Sequence, residues 1–276
     1  MTTVVLATLV AAAIGLALGL LIGVMAKRFA VEIDPRIEEV AGMLPGANCG
    51  GCGYASCMDM AKSIVCSGNE PGSCPVCPSE SIAKIASFLG RAAGAKERQV
   101  AVVLCGGSEA KASRAGRYNG VNDCRSAMLV AGGGKSCKYG CLGYASCAKA
   151  CPFGAIELRD GLAKVHPEIC VGCGKCVAAC PRKLIKLVPA SVKVHIHCSS
   201  PEKGPLKKKS CSVPCIACRK CVKVAGEGQM VASGFLVQVN YANPPGPEIV
   251  EKAGCPTGCL VAVEDLKADS GKEAAA

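Results

Sequence analysis

Aromatic residues are scarce in this sequence: its 276 residues include five Tyr, four Phe and no Trp. A core packed mainly by large side chains is therefore excluded. The same scarcity argues against nucleic-acid binding, because the recognition of unpaired bases relies on stacking against aromatic rings. We therefore expect no nucleic-acid partner, and we expect something other than apolar burial to organise the chain.

A glycine-rich turn that opens a βαβ dinucleotide-binding unit is also missing from the sequence. Gly134-Lys135-Ser136 resembles the end of a phosphate-binding loop, but Leu129 stands where that loop requires its first glycine. We therefore expect the chain to bind neither flavin nor NAD.

Cysteine, in contrast, is abundant: the chain has 23, a share at which a protein is usually organised by what its sulfurs hold. Disulfide scaffolds are short, and they seldom have an odd number of cysteines spaced two residues apart. Metal-bound thiolates explain the pattern better. They also change the charge, because the formal net charge of +11 counts every cysteine as neutral. Four [4Fe-4S] clusters, each at net −2 with its thiolates, would lower it to about +3.

The first 28 residues, 1–28, predict a membrane anchor. Val4 to Met25 contains no charged residue and is long enough to cross a bilayer as a helix, and Lys27 and Arg28 follow at once. A secretory signal would place positive charge before the apolar run, so we expect an uncleaved single-span anchor. The positive-inside bias places the rest of the chain in the cytoplasm, where thiols stay reduced.

Residues 29–90 predict a small module around one [4Fe-4S] cluster. Glycines at 50, 51 and 53 let the backbone turn around a cubane and donate N–H groups to its sulfides. The predicted ligands are Cys49, Cys52, Cys57 and Cys74, and Cys66 and Cys77 compete for the last position. Zinc is the alternative metal, because a C-x2-C pair with two distant cysteines also forms a structural zinc site.

A linker with a short strand is predicted over 91–135, and a two-cluster ferredoxin-like domain over 136–188. The cysteines of the predicted ferredoxin-like domain fall in two runs, and each run ends in Cys-Pro. The second run matches the bacterial C-x2-C-x2-C-x3-C-P pattern, whereas the cysteines of the first run are spaced more loosely. In that pattern the fourth cysteine of each run binds the other run's cluster. The predicted ligands are Cys137, Cys141, Cys147 and Cys180 for one cluster, and Cys151, Cys170, Cys173 and Cys176 for the other. Between the runs, Ile156 to Val165 alternates around Asp160-Gly161 and predicts a β-hairpin.

Residues 189–276 predict a second, degenerate ferredoxin-like domain. Val192 to Cys198 repeats the strand-to-cysteine pattern of Val100 to Cys105, which indicates an internal duplication. The cysteines that would bind one of the two clusters of such a domain are all absent, whereas those that would bind the other cluster are present. The remaining predicted ligands are Cys215, Cys218, Cys221 and Cys255. The predicted fold class is thus α+β: one N-terminal transmembrane helix, a small 4Fe-4S module, then tandem βαββαβ domains.

This order of modules, with Asn48-Cys-Gly-Gly-Cys-Gly-Tyr-Ala-Ser-Cys57 directly after a spanning helix, resembles the B subunits of Rnf complexes. Rnf complexes are ion-translocating ferredoxin:NAD oxidoreductases. The resemblance covers essentially the whole chain. It implies a translocase subunit in the cytoplasmic membrane of a prokaryote, with its clusters on the cytoplasmic side. It further implies that four [4Fe-4S] clusters carry electrons from soluble reduced ferredoxin to other membrane and flavoprotein subunits, and that the chain meets the lipid bilayer through its N-terminal helix.

Two other functions stay open from the sequence. The module type of Cys49 to Cys74 also occurs in corrinoid-protein systems, so a membrane polyferredoxin serving a hydrogenase or a corrinoid-activation system fits the same cysteines. A zinc-dependent scaffold also fits them and would be colourless. Electron transfer needs clusters that are held rigidly rather than an acid, base or nucleophile, so no catalytic residue is predicted.

Seven cysteines have no predicted role: Cys66, Cys77, Cys105, Cys124, Cys198, Cys211 and Cys259. An additional, fifth cluster is considered at four of them: Cys105, Cys124, Cys198 and Cys211. The reason is that each of the two repeated strands ends in one of these cysteines, the first in Cys105 and the second in Cys198. Buried, inert thiols are the alternative.

A basic run, Lys203 with Lys207 to Lys209, is a candidate dock for an acidic redox partner, and a solvated loop is the alternative there.

Overall fold

The computed structural model describes residues 1–29, 34–92, 94 and 97–263. Within these ranges the chain forms ten α-helices and eight β-strands, which confirms the predicted α+β class. Parts of the predicted module, linker and last domain lie outside the described residues, at 30–33, at 93, 95 and 96, and at 264–276.

Helix α1, Thr2–Arg28, is the apolar N-terminal segment. Its 27 residues extend about 40 Å, which exceeds the ~30 Å hydrocarbon core of a bilayer. None of its side chains is buried, and the mean hydropathy of its most apolar stretch is 2.7. Among the described residues, this is the one helix that is long and apolar enough to cross a membrane.

Three helices build the N-terminal module: α2 (Pro35–Met43), α3 (Cys57–Cys66) and α4 (Ser79–Phe88). All three helices contribute fully buried side chains to a common apolar core, among them Val40, Ile64 and Ile85. Four cysteines pack against the same core: Cys52, Cys57, Cys74 and Cys77. The helices therefore form a compact support beneath the cysteine-bearing loops.

The first ferredoxin-like unit combines two antiparallel strand pairs with short helices. Its elements are β1 (Gln99–Val103), α5 (Cys124–Leu129), α6 (Ser146–Lys149), β2 (Ile156–Arg159), β3 (Leu162–Val165), α7 (Lys175–Ala179) and β4 (Ile185–Pro189). Strand β1 pairs with β4, and β2 pairs with β3. Asp160 and Gly161 turn the β2–β3 hairpin with φ of 47° and 63°, the two positive angles that a type I′ turn needs. The predicted hairpin is confirmed.

Strand β1 changes one predicted boundary. It falls in the 91–135 segment that the sequence assigned to a linker, yet its five residues complete the sheet of the ferredoxin-like unit through β4. Local sequence pattern reveals the strand but not its distant partner. The unit therefore starts at Gln99, and residues 104–135, which contain α5, form an insertion between its first strand and its first cysteine run.

The second ferredoxin-like unit repeats this topology. Its elements are β5 (Val194–Ile196), α8 (Gly204–Ser210), α9 (Lys220–Val224), β6 (Met230–Ser233), β7 (Leu236–Val239), α10 (Ile249–Ala253) and β8 (Leu260–Ala262). Strand β5 pairs with β8, and β6 pairs with β7, both antiparallel. The unit has its own apolar core, which includes Val194, Val237 and Leu260. The βαββαβ fold is thus retained although half of the cysteines of this unit are lost.

The two units are connected by hydrogen bonds between residues 104–113 of the first and 197–212 of the second, here called the joint. Three main-chain bonds cross it: Gly106 N–H to the His197 oxygen at 2.9 Å, Ser113 N–H to the Ser210 oxygen at 3.1 Å, and Ser212 N–H to the Lys111 oxygen at 2.8 Å. Both segments follow the first strand of their unit. The joint therefore brings equivalent parts of the two units side by side.

Replacing Gly143 with Ala tests how the loop after Cys141 packs on the hairpin turn. Gly143 has φ of +80°, and a Cβ there would overlap the carbonyl oxygen of Gly161. Gly154→Ala is the matched control, because its φ of +64° is also left-handed but its Cβ would meet nothing within 4 Å. Left-handed backbone costs a non-glycine residue about 1–2 kcal/mol. We expect Gly143→Ala to lower the thermal unfolding midpoint clearly more than the control does; equal midpoints would contradict this packing.

Candidate metal centres

Centre 1 lies in the N-terminal module. Its predicted ligands are Cys49, Cys52, Cys57 and Cys74, of which Cys52, Cys57 and Cys74 pack at one apolar core. Main-chain N–H groups of Val76 and Cys77 donate hydrogen bonds to the Cys74 sulfur, and Cys52 and Cys49 are its thiol neighbours. Burial is the main reason why the pKa of the Cys74 thiol is raised. A free thiol there stays protonated, so a bound metal is needed to make it a thiolate.

The start of helix α3 positions the third cysteine of centre 1. Ser56 caps the helix by accepting the N–H of Asp59, and the N–H of Cys57 donates to Asn48 Oδ1 at 2.7 Å. Cys66, the predicted competitor, is exposed at the other end of α3. Cys77 is buried in the module core, and its main-chain N–H is directed at the Cys74 sulfur.

Centre 2 lies in the first ferredoxin-like unit. It consists of Cys151, Cys170, Cys173 and Cys176. Burial, followed by the neighbouring Cys170, Cys173 and Cys151 thiols, raises the pKa of Cys176 to about 11. The main-chain N–H of Ala101 in β1 lies 3.4 Å from the Cys170 sulfur. The structure therefore brings together the four sulfurs that the sequence grouped.

Centre 3 surrounds a cavity of about 370 Å³ in the same unit. Its cysteines are Cys124, Cys141, Cys147 and Cys180. Burial, followed by the other three thiols, raises the pKa of Cys147 to about 12. This group differs from the predicted one, because Cys124 stands where the sequence placed Cys137.

Helix α5 in the insertion explains why Cys124, and not Cys137, lies at centre 3. Asp123 caps the helix by accepting the N–H of Ser126 at 2.9 Å. The N–H of Cys124 donates to Ser146 Oγ at 2.7 Å, and this hydroxyl donates to Asp123 Oδ1 at 2.7 Å. The N–H of Ser126 and the hydroxyl of Ser146 lower the pKa of Asp123 to about 2. These bonds tie α5 to the start of α6 and place Cys124 beside the Cys147 thiol.

Centre 4 lies in the second ferredoxin-like unit. It consists of Cys215, Cys218, Cys221 and Cys255. Burial, followed by the other three thiols, raises the pKa of Cys221 to about 11. Cys218 is exposed, whereas the other predicted ligands in the chain are buried or half-buried. Centre 4 is therefore the group that lies nearest to solvent.

Cys259 is a fifth thiol at centre 4, and the sequence predicted no role for it. Its Sγ lies 3.7 Å from Cys255 Sγ, and it also forms a hydrogen bond with Cys215. Hydrogen bonds from Cys259 lower the pKa of Cys215 to about 6 and that of Cys255 to about 4, while the pKa of Cys259 itself is raised by both bonds. These contacts favour the protonated form of Cys259, whose single S–H is shared between the Cys215 and Cys255 sulfurs.

The four cysteines considered for an additional site do not all meet. Cys105, Cys198 and Cys211 lie around a second cavity, of about 340 Å³, together with Cys137. Cys124 lies instead at centre 3. Relative to the two predicted groups, Cys124 and Cys137 have thus exchanged places.

Centres 1 and 2 contact each other through their loops. A Cβ at Gly51 would lie 2.8 Å from the carbonyl oxygen and 3.1 Å from the Cβ of Cys173, so this position has room only for glycine. Cys49 is also among the thiols that raise the pKa of Cys173, after burial. The module and the first ferredoxin-like unit therefore place their cysteines next to one another.

Among the described residues, the cysteine groups do not form a compact site for a single metal ion. With Zn–S bonds of about 2.3 Å, four sulfurs around zinc lie about 3.8 Å apart. In the part of the chain that the structure describes, no three Cys, His, Asp or Glu side chains are placed to hold one metal ion. A cubane is larger and binds four thiolates at its corners, and N–H groups directed at sulfur are the donors that such clusters use.

Comparisons with protein families match two parts of the chain. Residues 44–76 match the family described as "Putative Fe-S cluster", and residues 136–184 match the family described as "4Fe-4S dicluster domain". The first range contains centre 1. The second contains centre 2 and three cysteines of centre 3, but not Cys124.

Curated relatives match most of the chain. It is 38% identical over 84% of its length to the B subunit of the ion-translocating oxidoreductase complex of Methanosarcina acetivorans, of which the alignment covers 88%. It is 38% identical over 100% of its length to the B subunit of the proton-translocating ferredoxin:NAD(+) oxidoreductase complex of Clostridium ljungdahlii, of which 99% is covered. The B subunit of the Na(+)-translocating ferredoxin:NAD(+) oxidoreductase complex of Acetobacterium woodii is 38% identical over 73% of this chain and 61% of its own length.

Cys259→Ala tests the hydrogen bonds at centre 4. We expect the midpoint potential of this centre to fall, because a donor to sulfur stabilises the more negative, reduced form of a cluster. A redox titration followed by EPR measures the potential, with the exposed Cys66→Ala as the control that should leave it unchanged. The loss of about four irons per chain in Cys259→Ala would contradict this account, because it would make Cys259 a ligand.

Proposed function

The chain belongs to the family of B subunits of ion-translocating oxidoreductase complexes, the Rnf complexes, and we propose that it carries electrons through at least four [4Fe-4S] clusters held at centres 1 to 4. It is an electron-transfer subunit of such a complex, contains iron–sulfur cofactors and associates with the membrane. The ligand sets, the electron donor and the site of electron input are our proposals, built on the positions of its thiols and charges.

The contact between centres is the observation that carries the proposal. Gly51 in the loop of centre 1 touches Cys173 of centre 2. Centres 2 and 3 share helix α6 and its flanks, because Cys147 belongs to one centre and Cys151 to the other. Electron transfer needs rigid neighbouring clusters and no acid or base. Centres 1, 2 and 3 adjoin one another and meet that requirement, and centre 4 lies in the second unit, beyond the joint.

The proposed ligand sets follow the spatial groups. They are Cys49, Cys52, Cys57 and Cys74 for centre 1; Cys151, Cys170, Cys173 and Cys176 for centre 2; Cys124, Cys141, Cys147 and Cys180 for centre 3; and Cys215, Cys218, Cys221 and Cys255 for centre 4. The set for centre 3 takes Cys124 in place of Cys137, because Cys124 lines the cavity with the other three thiols. When bound, the clusters supply the one-electron chemistry; the chain positions them and tunes their potentials.

A half-buried arginine near centre 3 supports an anionic cluster. The guanidinium of Arg182 lines the centre 3 cavity and donates to the carbonyl oxygens of Cys137 at 2.8 Å and Gly140 at 2.6 Å. Burial lowers the pKa of Arg182, while the neighbouring Cys137 and Cys141 thiols raise it. A buried positive charge is costly unless a negative group compensates it, and a cubane with four thiolates has a net charge of about −2.

Helix α1 is the proposed connection to the membrane. Its basic residues Lys27 and Arg28 lie in its last turn. By the positive-inside bias, this end faces the cytoplasm. We therefore place the four centres on the cytoplasmic side of a prokaryotic membrane, where soluble proteins reach them.

Soluble ferredoxin is the proposed electron donor, and centre 4 is the proposed site of electron input. Cys218 is exposed, and Arg219, Lys220 and Lys223 beside it are exposed as well. This basic surface, here called the α9 surface, would attract an acidic redox partner. The contact would place the donor close to the centre that is nearest to solvent.

The basic run expected from the sequence is only partly available as a dock. Lys207 is 1% exposed, and its Nζ donates to the carbonyl oxygens of Cys215 at 2.8 Å and Phe235 at 2.6 Å. Helix α8 turns this lysine inward. The expectation that Lys207 contributes to a docking surface is therefore wrong, whereas Lys208 and Lys209 are exposed.

Ion translocation and NAD reduction belong to the complex in this proposal. The two relatives from Clostridium ljungdahlii and Acetobacterium woodii carry names with different coupling ions, the proton and Na⁺. We assign no ion to this chain, and we place flavin and NAD on partner subunits.

The alternative, a polyferredoxin for a hydrogenase or a corrinoid-activation system, is not favoured, because relatives that cover most of the chain are subunits of ion-translocating complexes.

Charge reversal at the α9 surface tests the proposed dock. We expect Arg219→Glu with Lys220→Glu to slow reduction by ferredoxin at least about tenfold at low salt and less at high salt, because salt screens the attraction. Lys208→Glu with Lys209→Glu is the matched control, since it makes the same charge change on helix α8. Stopped-flow reduction of the full chain measures both rates. An unchanged rate in the first variant, or a larger effect in the second, would contradict this dock.

A further inference from the structure

We propose that the joint between the two ferredoxin-like units holds an additional [4Fe-4S] cluster, ligated by Cys105, Cys137, Cys198 and Cys211. This site extends the four-centre electron carrier proposed above. Three of its four cysteines lie outside the ranges that match iron–sulfur families, which are residues 44–76 and 136–184. The site is therefore a property of the joint rather than of either unit.

The four thiols converge from both sides of the joint. They line a common cavity of about 340 Å³. The Cys105, Cys137 and Cys198 thiols are all electrostatic neighbours of Cys211: burial is the main reason why the pKa of Cys211 is raised, these thiols raise it further, and a hydrogen bond from the Val213 N–H lowers it. Cys105 and Cys137 come from the first unit, and Cys198 and Cys211 from the second. The site is thus complete only when the units are joined.

Main-chain donors are directed at every sulfur of the group. The N–H donors are Cys141 for Cys105, Tyr139 for Cys137, Cys215 and Ser200 for Cys198, and Val213 for Cys211. The first of these bonds is 3.3 Å long. Hydrogen bonds to sulfur stabilise thiolates and the clusters that they bind. Centres 1 to 4 show the same feature, which buried inert thiols do not require.

Glycine keeps the space between the sulfurs open. A Cβ at Gly107 would lie 3.4 Å from Cys211 Sγ and 3.8 Å from Cys105 Sγ, in contact with both thiols. Gly140 lines the same cavity, and a Cβ there would lie 3.5 Å from Cys137 Sγ. A side chain at either position would therefore border or enter the volume that a cubane needs.

Two buried lysines at the joint require negative charge. Lys207 lines the cavity, is 1% exposed and donates to two carbonyl oxygens. Lys135 is 8% exposed and donates to the carbonyl oxygens of Gly107 and Cys141. In the described part of the chain, neither lysine has a carboxylate within ion-pair distance. Asp160 is an electrostatic neighbour of Lys135 and compensates part of its charge. An anionic cluster in the cavity would add negative charge beside Lys207, which lines it.

The site also fills the interval between centres 3 and 4. Cys141 of centre 3 donates its N–H to the Cys105 sulfur at 3.3 Å, and Cys215 of centre 4 donates its N–H to the Cys198 sulfur. One hydrogen bond therefore separates the joint site from each neighbouring centre. With a cluster in the joint, five centres form one unbroken series from the proposed ferredoxin dock to the N-terminal module.

Iron and sulfide content of the full chain, purified without oxygen from cells that assemble clusters, tests the site. We expect about 20 irons and 20 sulfides per wild-type chain, and about 16 of each in the double variant Cys105→Ala with Cys198→Ala. The exposed Cys66→Ala is the control, because it also removes a cysteine but none from the proposed sets; it should keep about 20 irons. About 16 irons in the wild type, or no iron lost in the Cys105/Cys198 variant, would overturn the site.

Gly107→Val provides a second variant if the double variant does not fold. It keeps every thiol but fills the space between two of them, so we again expect a loss of about four irons per chain. Retention of all irons by Gly107→Val would overturn the site. A wild-type count of about 16 irons would leave the four-centre proposal standing and reject the joint cluster alone, whereas a chain without iron would reject both.

Discussion

Burial of thiols is the constraint on which the rest of this structure depends. Burial raises the pKa of Cys74, Cys147 and Cys176, among others, so free thiols at these positions stay protonated. Iron reverses this preference, because a metal-bound cysteine is a thiolate. With few aromatic side chains for packing, the chain relies on small apolar cores between its cysteine loops. Cluster binding and folding are therefore expected to be coupled throughout the part of the chain that follows helix α1.

Positive charge follows from the same constraint. Lys135, Arg182 and Lys207 are held by main-chain carbonyl oxygens close to the centres rather than by carboxylates. Fixed cations at these positions offset the negative charge of the clusters and influence their potentials. The formal net charge of +11 is thus partly an internal counter-charge. The remaining exposed basic residues are available to attract an acidic donor.

The sequence predicted the parts of the structure that depend on local spacing. The hairpin at Asp160-Gly161 is confirmed, and the evenly stepped second run brings together the thiols of centre 2. The sequence could not show which of Cys124 and Cys137 lies at centre 3, because their positions depend on how the 104–135 insertion packs. The inward turn of Lys207 likewise depends on the contact of helix α8 with the second unit. Ligands contributed across a joint between units leave no spacing pattern in the sequence.

Reduction by ferredoxin tests most directly whether the chain is an electron carrier. The protein, purified without oxygen, would be mixed with reduced soluble ferredoxin while its visible absorbance is followed. We expect a brown protein with equal amounts of iron and sulfide, whose absorbance is bleached as the clusters accept electrons. A colourless protein that contains zinc and takes no electrons from ferredoxin would contradict it.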